Sequence, residues 1–139
     1  MNKKMDNKGF SLVELIVVIA IMAVLIGVLA PQFIKYVEKS RQSTDITNLD
    51  SCVSAVKVYY TDHDIPDAGI TITSSGGGNF TASDGNKALI NVSAQNTKVK
   101  GKWNTGHFPG ATITKSGDVN YSGTSDYYTA SGDKFVPVN

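Results

Sequence analysis

The chain has 139 residues, 41% hydrophobic and 18% charged, which is room for one ordinary domain and excludes collagen-like, low-complexity and wholly disordered classes. A formal net charge of +1 gives no global reason to expect nucleic-acid binding, which needs an excess of Lys and Arg over acids. The single cysteine, Cys52, excludes an intrachain disulfide, so a folded part has to be held by packing or by neighbouring subunits.

The first element in chain order is a membrane-spanning helix. Leu15 to Ile34 carry no charge, with Gln32 as the only strongly polar side chain. A helix of that length covers about 30 Å, the thickness of a bilayer hydrocarbon core. Lys3, Lys4 and Lys8 precede it against Asp6, whereas the charges that follow are mixed. The N-terminus is therefore expected in the cytoplasm and the remainder outside. A secretory signal peptide is the competing reading, disfavoured by Pro31, which falls where its cleavage site would have to lie. Glu14, a lone carboxylate at the mouth of the apolar helix, is a functional candidate, because an acid near the bilayer centre costs on the order of 3 kcal/mol. If the chain is cut after Gly9, Phe10 gains a free amine one helical turn before Glu14. The two charges can then pair within one helix or between packed neighbours.

Lys8-Gly9-Phe10-Ser11-Leu12-Val13-Glu14, followed by an uninterrupted apolar run, resembles the class III signal of type IV pilins and their pseudopilin relatives. The resemblance covers about residues 1 to 60. It implies that residues 1–9 are a leader removed by a membrane prepilin peptidase, that Phe10 becomes N-methylated, and that Glu14 sets register during filament assembly. Losing residues 1–9 leaves ten basic and eleven acidic side chains and moves the formal charge from +1 to −1.

No glycine occurs between Gly27 and Gly69 and no proline between Pro31 and Pro66, so one helix is expected from Phe10 to about Asp62. Residues 10–34 form its hydrophobic assembly part and 35–64 its amphipathic continuation, in which Ile46, Leu49, Val53, Val56 and Tyr60 mark the apolar face. Ser43, Asp45, Asn48, Asp50 and Lys57 fall at other angles. Pro31 removes a hydrogen bond to the carbonyl of Gly27, so Gly27 to Pro31 is the expected weak link. By the resemblance, this link lets the helix loosen in the filament.

Residues 65–139 read as a β-rich head. Eleven of the thirteen glycines lie there, in turn signals such as Asp84-Gly85-Asn86, Ser116-Gly117-Asp118 and Ser131-Gly132-Asp133. Between the turns, strands are expected at Ile70–Thr73, Ala88–Val92, Val99–Trp103, Ala111–Thr114, Val119–Ser122, Tyr127–Ala130 and Phe135–Val138. The fold class is thus α+β, a long N-terminal helix packed on a small antiparallel sheet, as in a pilin-like lollipop. In Lys98-Val99-Lys100-Gly101-Lys102-Trp103, strict alternation sends Val99 and Trp103 to one face and Lys98, Lys100 and Lys102 to the other. Gly101 marks a bulge or a close backbone approach. The lysine row could bind DNA phosphates or an acidic surface, or simply guard a sheet edge.

Catalysis finds no candidate constellation: Cys52 lacks a partner thiol, and His63 and His107 lie in unrelated contexts. Cys52, beside Val53 and Leu49, reads as a buried small hydrophobe. Asp62, Asp64 and Asp67 offer oxygen ligands but no EF-hand pattern, so neither metal nor cofactor is expected. Asn79-Phe80-Thr81, Asn91-Val92-Ser93 and Asn120-Tyr121-Ser122 match the glycosylation acceptor pattern by coincidence of composition. The expected protein is non-enzymatic: a major pilin made as a single-pass membrane precursor and polymerised with identical subunits, through the pilus assembly machinery, into an extracellular helical filament for adhesion or twitching motility. A pseudopilin of a type II secretion or DNA-uptake system is the nearest alternative, and a membrane-anchored binding domain the next.

Overall fold

The computed structural model describes residues 9–92 and 98–139. The expected leader, apart from Gly9, and Ser93 of the second glycosylation triplet lie outside the described residues. One helix, α1 (Leu12–Tyr59), is followed by six strands: β1 (Ile70–Thr73), β2 (Thr81–Ala82), β3 (Gly110–Ile113), β4 (Val119–Ser122), β5 (Tyr128–Ser131) and β6 (Lys134–Pro137). This is the expected α+β class. The chain forms two compact units, one ending at Tyr36 and the other running from Val37 to Asn139.

Helix α1 starts two residues later and ends three residues earlier than expected, and it continues through Gly27 and Pro31 without a break. At its end the Thr61 amide bonds the Val58 carbonyl and closes a tighter turn. The His63 ring there stacks on Tyr59 at 4.4 Å, with Nδ1 2.9 Å from the Tyr59 carbonyl. In the first unit every described residue is exposed.

In the second unit α1 turns one face inward. Gln42, Asp45, Leu49, Cys52, Val53 and Val56 are buried at steps of three and four, the spacing of a single helical stripe. The expected stripe is present, with Ile46 and Tyr60 half-buried at its margins. Asp45 departs from the expectation that it falls at an angle off the buried face: it is wholly buried.

The strands form two antiparallel sheets, one in the order β2-β1-β3-β4 and the other the hairpin β5-β6. Ile70, Ile72, Ala111 and Ile113 point from the first sheet into a core that also takes Phe80, Leu89, Leu49 and Val56. Backbone bonds from Tyr121 to Gly132 and from Ala130 to Gly123 tie the hairpin to β4. The turn signals at Ser116-Gly117-Asp118 and Ser131-Gly132-Asp133 close β3–β4 and β5–β6. Five expected strands are present, each within one residue of its expected position. Two are not. Ala88 to Val92 forms successive turns, the Leu89 amide bonding Asn86 and the Val92 amide bonding Leu89, and these press Ala88 and Leu89 into the core. The short β2, which pairs with β1, was not anticipated.

Val99 to Trp103 is likewise not a strand, because the amides of Lys100, Gly101 and Lys102 bond side chains of α1 instead of a neighbouring strand. The Lys100 amide donates to Asp45 Oδ1 at 2.9 Å, the Gly101 amide to Asp45 Oδ2 at 2.8 Å, and the Trp103 indole to Asp45 Oδ2 at 3.0 Å. One turn earlier Gln42 Nε2 donates to the Lys102 carbonyl at 3.0 Å and Gln42 accepts from Ser125 Oγ, and two turns earlier Glu38 accepts from the Lys102 amide. A buried charge is tolerable when its lone pairs are filled by donors, and the Asp45 carboxylate has three. Gly101 is the expected close approach: a Cβ there would lie 2.6 Å from Gln42 Cγ and 2.8 Å from Asp45 Oδ2, so only glycine fits.

This clasp predicts that Asp45→Ala, by leaving buried donors without an acceptor, destabilises the second unit by about 3–5 kcal/mol. Asp45→Asn also destabilises it, because one amide then faces an NH₂ group. The single Trp103 reports both through red-shifted emission and an earlier urea midpoint. Burial also pushes the Cys52 thiol from 9.0 up to about 11 and, with the Asp84 hydrogen bond and charge, the Tyr60 hydroxyl up to about 12. Both pKa values are raised on folding, so their stabilisation is complete below about pH 9 and is lost as pH rises through 11. The urea midpoint is expected to hold from pH 6 to 8 and fall from pH 9 to 11, less steeply in Cys52→Ala.

Candidate assembly site at the helix N-terminus

Gly9 and Phe10 lie outside the helix, Phe10 is 80% exposed, and Ser11 is the residue on which α1 begins. The Ser11 hydroxyl accepts from the Glu14 amide at 3.3 Å, and Glu14 Oε2 accepts from the Ser11 amide at 3.2 Å. This reciprocal pair is a capping box, which satisfies two amide donors that a helix start otherwise leaves open. Sequence reading had singled out Glu14 for its depth and missed Ser11, although the spacing Ser11-x-x-Glu14 is itself the signature. Neither bond uses the Gly9–Phe10 peptide, so a cut there leaves the box intact. Only Oε2 of Glu14 is engaged with a described residue, which leaves Oε1 as an acceptor for a further donor.

Beyond the cap, Leu12, Leu15, Val18, Ile21, Leu25, Val28 and Ile34 are each at least half exposed, and they point in every direction around α1. A helix that is apolar all round has no face to offer water and needs apolar surroundings on all sides. Apart from the Gly27 carbonyl, which Pro31 leaves without its donor, its backbone bonds are met within the helix, the condition for lying in lipid. Gly27 and Pro31 belong to this stretch; a Cβ on Gly27 would meet nothing within 4 Å.

The remaining candidate residues fall in the second unit. Lys98, Lys100 and Lys102 are exposed while Val99 and Trp103 are buried, so the expected alternation of faces holds without a strand. Cys52 is wholly buried, as read. Asp67 pairs with Lys115. Among the described residues no group of three or more His, Cys, Asp or Glu side chains is placed to hold a metal ion.

Residues 4–30 match the family described as the prokaryotic N-terminal methylation motif, which centres on this cap and the apolar run behind it. The chain is similar to type IV major pilins. It is 40% identical to the type IV major pilin protein PilA of Myxococcus xanthus over 58 residues, 42% of this chain and 26% of that one. It is 32% identical to the type IV major pilin protein PilE of Neisseria gonorrhoeae over 106 residues, 69% of this chain and 64% of that one. The fimbrial protein EcpC of Eikenella corrodens is 36% identical over 78 residues, 52% of this chain and 51% of its own length. The chain thus spans from about a quarter to just under two thirds of the length of these relatives. No solved structure matches it. The family is structural, not enzymatic.

The capping box predicts that Ser11→Ala frays the first turn of α1 at a cost of about 1 kcal/mol, whereas Ser11→Thr keeps it. Faster amide exchange at Glu14 and Leu15 in detergent micelles, restored by threonine, is the expected reading.

Proposed function

We propose that this chain is the structural subunit of a type IV pilus, a major pilin. It enters the cytoplasmic membrane as a precursor with its N-terminus inside, and a prepilin peptidase cuts it between Gly9 and Phe10. Phe10 is then N-methylated, and the pilus assembly machinery packs the chain with identical copies into a surface filament serving adhesion or motility. The observation that carries this reading is the apolar surface of residues 12–34, exposed on every side and preceded by a capped carboxylate with one oxygen open. Packing against like helices replaces lipid contacts at little change in hydrophobic free energy, since both surroundings are apolar. Major pilins stand among the relatives by name, which supports the pilin reading.

On this reading the amine that a cut creates on Phe10 finds Glu14 of a neighbour, which neutralises two charges in an apolar filament core. The Ser11 amide is the partner that Glu14 exchanges for it or retains on its other oxygen. Gly27 to Pro31, helical here, is where the helix would loosen under load, because Pro31 removes one backbone bond.

Two measurements test the proposal. N-terminal sequencing of mature protein is expected to begin at methylated Phe10; an intact Met1 would support a membrane anchor instead. Electron microscopy of sheared surface material is expected to show long filaments containing this chain, with yield reduced at least tenfold in Glu14→Ala. Undiminished filaments in that variant would remove the register role, and absence of filaments from the wild type would favour a pseudopilin.

A further inference from the structure

Between α1 and the β5–β6 hairpin lies a cleft of about 270 Å³. Asp50 stands on its helical wall, and its other wall is aromatic. Ala130 pairs with Phe135 across the hairpin and Tyr128 lies two residues before Ala130, so Tyr128 and Phe135 share one face. Tyr121 of β4 meets the Phe135 ring edge to face at 5.5 Å. All three rings line the cleft and are half-buried, so each is packed on one side and open on another.

The charged groups that line this space among the described residues are Asp50, Asp133 and Lys134, two acids to one base. Asp50 Oδ1 accepts the Tyr121 hydroxyl at 2.6 Å, which ties β4 to α1 and holds the carboxylate at the wall. Asp133 sits in the turn of the hairpin, exposed beside Lys134. Burial, the hydrogen bond to Asp50 and the charges of Asp50 and Asp133 together push the Tyr121 hydroxyl upward. A field that disfavours a phenolate favours a cation in the same place.

We infer that this cleft binds a small organic ammonium ion, its alkyl groups against Tyr121, Tyr128 and Phe135 and its charge toward Asp50 and Asp133. An aromatic face attracts a cation within about 6 Å of its centre, most strongly where water is displaced. Rings alone would accept any apolar group, and two acids alone would accept any cation. Together they select a ligand that is apolar and positive at once, in a space just below the roughly 300–1,000 Å³ of ordinary ligand sites. A second cleft shares Tyr121 and Asp133 with the first and runs on to Lys57, Asp118 and Asn120, which gives a polar tail on the ligand a place to lie. The site belongs wholly to the second unit, so it stands apart from the pilin reading.

The test uses the full chain in non-ionic detergent, with choline as the probe and, for comparison, its uncharged isostere with carbon in place of nitrogen. Titration followed by nuclear magnetic resonance is expected to show saturable millimolar binding of choline, with the largest shifts at Tyr121, Tyr128 and Phe135. Asp50→Asn combined with Asp133→Asn removes both charges, leaves an oxygen for the Tyr121 hydroxyl, and should lower choline affinity about tenfold. Tyr128→Leu keeps apolar bulk without a ring face and should lower it about threefold to fivefold. A control pair, Asp62→Asn with Asp64→Asn, makes the same charge change at exposed positions outside the cleft and should leave affinity near wild type. The urea midpoint read from Trp103 is expected to stay at the wild-type value in the Asp pair; if it falls, Asp133→Asn alone, in its exposed turn, carries the test with a loss of about threefold. The proposal is overturned by an absence of saturable choline binding, by equal binding of the uncharged isostere, by equal competition from sodium ions, or by equal losses in the cleft and control pairs.

Discussion

The Asp45 carboxylate meets three N–H donors in a place where no water reaches it. A charge there would be costly without those donors, and the donors would be costly without the charge, so each makes the other permissible. From this contact the rest of the second unit is laid out. Residues 98–103 are held against α1, Trp103 is set edge-on to Phe135 at 5.6 Å, and Phe135 in turn meets Tyr121 of β4 at 5.5 Å. Gln42 extends the same network to Ser125, just before β5. A head without a disulfide is thereby tied to its helix by polar contacts as well as by the apolar core.

One continuous helix serves two opposite purposes because its side chains change character near Tyr36. Before that point every described side chain is exposed, and after it a regular stripe is buried. The first stretch has its backbone satisfied and its surface unsatisfied, so whatever covers it must be apolar. The second is satisfied within its own unit. A chain of this kind can change what covers one stretch without refolding the other.

Several features were legible in the residues, and the failures have a common cause. The apolar run, the helical stripe and the hairpin turns are local patterns whose physics acts over a few residues. Period-two alternation in Lys98 to Trp103 correctly gave the two faces, but it reports an extended backbone and not the identity of its hydrogen-bond partners. Those partners lie more than fifty positions away in sequence, on Asp45. A carboxylate on a helix ordinarily faces water, so Asp45 gave no sign of burial. The apolar run Ala88 to Val92 misled similarly: turns can bury such residues as well as a strand can. Ser11 differed, for its capping spacing was present and simply outweighed by the attention that an acid near lipid attracts.

The clasp grips main-chain atoms, and this bears on how the surface can drift. Apart from Gly101, which the close approach fixes, the side chains at 98, 100 and 102 are exposed, and the head holds this segment by its backbone. Substitutions there change the chemistry shown to the outside while the anchoring at Val99, Trp103 and Asp45 stays as it is. Such a segment is suited to carrying a grafted epitope.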